Sequence, residues 1–86
     1  MKYRIAREAR AELFEAALYY ESCRTGLGVE FQTAFEKAVA RILNDPTSFA
    51  ISTGNARTVF LKKFPYQIVF QVQLESVEIY AVAHNK

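Results

Sequence analysis

The chain has no tryptophan, one cysteine and one histidine, and each scarcity closes off a class of protein. A single cysteine excludes an internal disulfide, and no Cys/His spacing forms a zinc-ligand set. Neither a metal site nor a cofactor-binding motif is therefore expected. Two prolines and three glycines in 86 residues, with 23% charged residues, argue against a disordered chain. No apolar run approaches the ~20 residues that span a membrane. Met1-Lys2-Tyr3-Arg4-Ile5-Ala6-Arg7-Glu8 is too charged for a signal peptide. A cytoplasmic protein is expected, without membrane partners. Charge of one sign is also lacking: the formal net charge of +2 is too small for a nucleic-acid footprint, so any basic patch must be local.

What is present is apolar periodicity. About half of the residues are hydrophobic, enough for one modest core and a single domain spanning residues 1–86. Lys2 to Ile5 alternates as a short strand, with Tyr3 and Ile5 on one side. From Glu8 the period lengthens, and Leu13, Ala16, Ala17 and Tyr20 build one apolar helix face that fades at Ser22-Cys23-Arg24. Gly26 and Gly28 mark a tight turn. A second helix is predicted from about Val29 to Asn44, with Phe31, Phe35, Ala38 and Ile42 on one face; Asp45-Pro46 ends it. The short connection makes the two helices an antiparallel hairpin.

Pro46 to Asn55 is mostly polar and reads as a mobile loop. Three β-rich runs follow. The first is Arg57 to Leu61, interrupted by Lys62-Lys63-Phe64-Pro65. The second is Tyr66 to Val72, with Tyr66, Ile68, Phe70 and Val72 on one face. In the third, Val77 to Ala83, the residues Val77, Ile79, Ala81 and Ala83 alternate with Glu78, Tyr80 and Val82. Short links between these runs imply an antiparallel meander. The expected fold is α+β, β-α-α-β-β-β, with an antiparallel sheet packed against an N-terminal helical hairpin. Phe31, Phe35, Ile42, Ile68, Phe70 and Ile79 are the expected core.

The run Leu13-Phe14-Glu15-Ala16-Ala17-Leu18-Tyr19-Tyr20-Glu21, followed by Gly26-Leu27-Gly28, Phe31 and Phe35-Glu36-Lys37-Ala38, is similar to the helical hairpin of the RelE/ParE toxin superfamily. Arg57, Leu61, Phe64-Pro65-Tyr66, Ile68 and Phe70 resemble its middle strands, and Ile79-Tyr80-Ala81-Val82-Ala83-His84 its last strand. The resemblance runs through nearly the whole chain, in order. It implies the toxin of a type II toxin–antitoxin pair, held inactive by a cognate antitoxin whose extended or helical segment wraps it. RelE-like members are ribosome-dependent endoribonucleases acting on mRNA; ParE-like members poison DNA gyrase. The Gly-Leu-Gly turn and the Phe-Pro-Tyr segment resemble the ParE side.

Metal-independent RNA cleavage needs cations at the scissile phosphate and a proton carrier near the 2′-hydroxyl. Under the nuclease alternative those residues would be Arg57, Lys62, Lys63 and His84. Each also has an ordinary reading. Lys62 and Lys63 suit a solvated turn, Arg57 a solvated strand, and His84 a polar strand end. Where RelE-like nucleases commonly carry an arginine, this chain has Gln67, which has no charge to offer a phosphate. Tyr66 and Tyr80 could stack on bases or pack within the sheet, and Cys23 reads as an inert thiol near a helix end. The resemblance thus favours a ParE-like inhibitor, with the mRNA nuclease as the alternative and an inactive toxin fold as a third reading.

Overall fold

A computed structural model describes residues 1–85. The chain runs β1 (Lys2–Ile5), α1 (Arg7–Cys23), α2 (Leu27–Asn44), a 3-10 turn (Pro46–Ser48), β2 (Ile51–Thr53), β3 (Ala56–Phe60), β4 (Tyr66–Val72) and β5 (Ser76–His84). The five strands form one sheet in the order β1-β5-β4-β3-β2, with both helices on one face. The β3–β4 and β4–β5 pairs are antiparallel, as short connections require. β1 lies parallel to β5, so the sheet is mixed. No local connection fixes that pairing; the helical hairpin intervenes, and parallel neighbours need such a long crossover.

Aromatic and aliphatic positions from every layer meet in the core. All six expected core residues are buried, with Phe31, Ile42, Ile68, Phe70 and Ile79 fully so. Phe31 packs edge-on against Phe64 and Tyr66, with ring centroids 5.2 and 5.0 Å away. Tyr20 lies over Phe31 at 5.3 Å, tying α1 to α2. Burial of such side chains stabilises by roughly 1.5–3 kcal/mol each, and it is the main term holding so small a domain together.

Three local features depart from the simple periodic pattern. First, α2 begins at Leu27, so Gly28 lies inside the helix. The Glu21 carboxylate accepts hydrogen bonds from the backbone N–H of Gly26 (3.0 Å) and Gly28 (3.0 Å), satisfying donors that a helix start otherwise leaves open. Second, the segment expected as a mobile loop is tied down. Phe49 packs on Phe70 at 5.9 Å, Arg57 donates to the Thr47 and Phe49 carbonyls (3.2 and 2.7 Å), and β2 pairs with β3. Third, β5 is bulged. Val69 pairs with Ala81 but Phe70 pairs with Ile79, so Tyr80 is an extra residue. Simple alternation would keep Ala81 and Ala83 on the face of Val77 and Ile79. The bulge reverses the phase, and Val82 is buried instead.

Candidate functional site

The strand register divides the side chains between two faces, because directly paired residues share one. Ile68 and Phe70 on β4 face the helices; Gln67, Val69 and Gln71 face away. Their partners build three rows across the open face. Phe60, Gln67 and Ala83 form one, Thr58, Val69 and Ala81 the next, and Gln71, Glu78 and Arg4 the third. Arg4 and Glu78 are paired at 3.5 Å, and the Tyr80 hydroxyl donates to Gln71 Oε1 at 3.3 Å. Gln67 therefore sits between Phe60 and Ala83, in a row of uncharged residues.

The four residues considered for catalysis do not share this face. Arg57 pairs with Phe70 and lies on the helix side, its guanidinium committed to the Thr47 and Phe49 carbonyls. His84 pairs with Tyr66, also on the helix side, and its ring packs edge-on against the Tyr66 ring at 5.1 Å. Those two positions are four residues apart along β4, about 13 Å, and lie on strands to either side of it, about 10 Å across. With the guanidinium engaged by those carbonyls and the imidazole packed on Tyr66, the two side chains are not brought together. Lys62 and Lys63 lie beyond the sheet in the β3–β4 turn, and Tyr66 is taken up by the aromatic core. Cys23 is exposed at the end of α1 and holds the Tyr19 hydroxyl above its usual pKa through a side-chain hydrogen bond. Among the described residues, no three His, Cys, Asp or Glu side chains converge as metal ligands.

What Lys62 and Lys63 do form is one wall of a cleft of about 390 Å³, whose other wall is α2. Lys37 and Arg41 face them from the helix. Their i, i+4 spacing on the polar side of α2 was the available signal, but pairing it with a turn more than twenty residues later requires the fold. A second feature beyond the reach of sequence is Glu12, whose carboxylate accepts the Val82 backbone N–H at 2.8 Å. β1 ends opposite Ile79, so this edge of β5 is open from Tyr80 onward, and α1 supplies the missing acceptor with a side chain.

No family model matches the chain, and no curated protein matches it. Among solved structures, it is similar to a chain in one described as "Chromosomal ParDE TA system from P. aeruginosa", with a TM-score of 0.86, 17% identity, and coverage of 100% of this chain and 97% of that one. The chain shares the fold of that chain from end to end. At such identity the likeness lies in the course of the backbone rather than in the sequence. Among the described residues, no helix is long and apolar enough to cross a membrane.

Proposed function

We propose that the chain is the toxin of a type II toxin–antitoxin pair, ParE-like in acting by binding a protein target, DNA gyrase, and neutralised in the cytoplasm by a cognate antitoxin. The observation that carries this reading is the full-length likeness to a chain from a ParDE toxin–antitoxin system. Two features support it. Phe14 and Leu18 stand exposed, 60% and 54%, at i, i+4 on α1, an apolar pair suited to a covering partner helix. The open sheet face carries Gln67 among uncharged neighbours, and phosphate chemistry gains little from such a surface. A ribosome-dependent mRNA nuclease would need Arg57, Lys62, Lys63 and His84 to act together, and the spacing of Arg57 from His84 speaks against that.

Expression of the chain in bacteria, with DNA supercoiling and translation followed separately, tests the reading. Loss of supercoiling ahead of translation, relieved by co-expressing a small acidic protein encoded beside it, is the expected result. Cleavage of ribosome-bound messages by the wild type, abolished by Arg57→Ala or His84→Ala, would replace it with the nuclease reading. Harmless expression and no binding neighbour would leave the fold without the toxin function.

A further inference from the structure

We propose that the cleft between α2 and the β3–β4 turn is a docking site for an acidic peptide segment of a protein partner, with an apolar side chain seated on its floor. The inference stands on the cleft alone and does not require the toxin reading. Its walls are fixed before any partner arrives. Phe64, part of the floor, is held in the core by Tyr20 and Phe31, at centroid distances of 4.9 and 5.2 Å. The turn is closed by hydrogen bonds from Leu61 N–H to the Tyr66 carbonyl (2.9 Å) and from Tyr66 N–H to the Phe64 carbonyl (2.8 Å). Arg41 bolts the two walls together by donating to the Phe60 carbonyl at 2.9 Å. A preformed concavity of this kind saves the ordering cost that weakens binding to mobile surfaces.

Charge then selects the occupant. Lys37 and Arg41 stand on one wall, Lys62 and Lys63 on the other, and the acid at the cleft, Glu30, is drawn to Arg24 at 3.5 Å. The floor is apolar: Ala34, Phe64 and the exposed Val29. Lys63 also has φ of +73°, a left-handed conformation that non-glycine residues seldom adopt. A glycine would fit that backbone more easily, so the position carries a charge at a conformational cost. A nucleic acid needs a track of cations along its backbone and platforms for its bases. A short cleft with cations on two walls and an aliphatic floor fits a peptide instead: carboxylates at the rim and one bulky side chain between them.

The test is fluorescence anisotropy of the full chain with a short labelled peptide, a central leucine flanked on both sides by aspartate and glutamate. A peptide with serine at the centre and an oligothymidylate of equal charge serve as comparisons. Saturable binding that weakens with salt is expected. Replacing the leucine by serine, or Val29→Asp in the protein, should weaken it about tenfold. Lys62→Ala with Lys63→Gly should weaken it about tenfold as well, with unchanged or raised thermal stability, because glycine relieves the strained backbone at position 63. The proposal is overturned if the wild type does not bind the peptide, or if these variants bind as the wild type does. It is also overturned if the oligothymidylate binds more tightly and loses affinity in the same variants, which would mark the cleft as a nucleic-acid surface.

Discussion

Replacing Gly28 with alanine should destabilise the domain, although the same change in most helices stabilises it. Alanine is favoured over glycine in a helix by up to about 1 kcal/mol, because glycine loses more backbone freedom on folding. At position 28 that gain meets a wall. A Cβ built there lies 2.6 Å from the Ala17 carbonyl oxygen, 3.0 Å from Glu21 Oε1 and 3.1 Å from Glu21 Cβ. The nearest atom is backbone of α1, which moves only if the whole helix does. Overpacking of this kind costs typically 1–3 kcal/mol, and displacement of the Glu21 carboxylate from the start of α2 adds to it, so we expect a net loss of about 2 kcal/mol. For a domain of this size that is a fall in Tm of about 8–16 °C, readable by calorimetry or circular dichroism. Glu21→Ala identifies the cause. If the Glu21 contacts alone carried the effect, Gly28→Ala would cost nothing further in the Glu21→Ala background; if the Ala17 carbonyl does, most of the loss persists. A Tm for Gly28→Ala at or above that of wild type would refute the close-packing argument.

Other perturbations follow from the same contacts. Phe35→Ala empties a buried position on α2 and should cost about 3–5 kcal/mol in chemical denaturation, enough to unfold much of a small domain at 37 °C. The Glu21 carboxyl is held below the usual glutamate range, first by the Gly26 N–H and then by the Gly28 N–H. Its contribution is therefore complete above about pH 4.3, the unfolded value, and is lost as pH falls through the lower folded value. Denaturation midpoints of wild type and Glu21→Gln should accordingly differ most at neutral pH and converge in acid; a gap that widens in acid would contradict the assignment. Glu12→Ala leaves the Val82 N–H without its acceptor and should cost about 1–3 kcal/mol, with faster amide exchange confined at first to the second half of β5.

The elements that were legible in the sequence are those whose signal is local. β4 was readable to the residue because Tyr66 to Val72 alternates without interruption, and the helix stripes were readable because each recurs over about two to three turns. The misses have one origin: the contacts that decide them lie outside the segment itself. β2 is three residues long, exposed along its length, and exists because Arg57 and Phe70 anchor the segment before it. Its own composition says loop. β1 reads as a strand but carries no mark of its parallel neighbour. The bulge at Tyr80 is hidden because the alternating pattern continues through it unbroken; only the pairing of Val69 with Ala81 and Phe70 with Ile79 reveals the extra residue.

The same dependence on register decides what the candidate site can do. Arg57 and His84 were grouped by chemistry, and chemistry alone does not say which face a strand residue occupies. Both pair with even-numbered positions of β4, Phe70 and Tyr66, and the even positions face the helices. A shift of either strand by one residue would bring its side chain to the open face, so the outcome rests on pairing and not on residue type. Positions that do reach the open face are those paired with odd-numbered residues of β4: Thr58, Phe60, Ala81 and Ala83 surround Gln67 and Val69, while Arg4, paired with Glu78, lies in the row of Gln71. A nuclease surface on this sheet would need cations at several of those positions at once. Gln67→Arg supplies one, beside Phe60 and Ala83, with no second charge in its row and no proton carrier opposite it. That single substitution should therefore leave ribosome-bound messages intact, and cleavage appearing on its introduction would mean that the remaining catalytic groups come from outside this face.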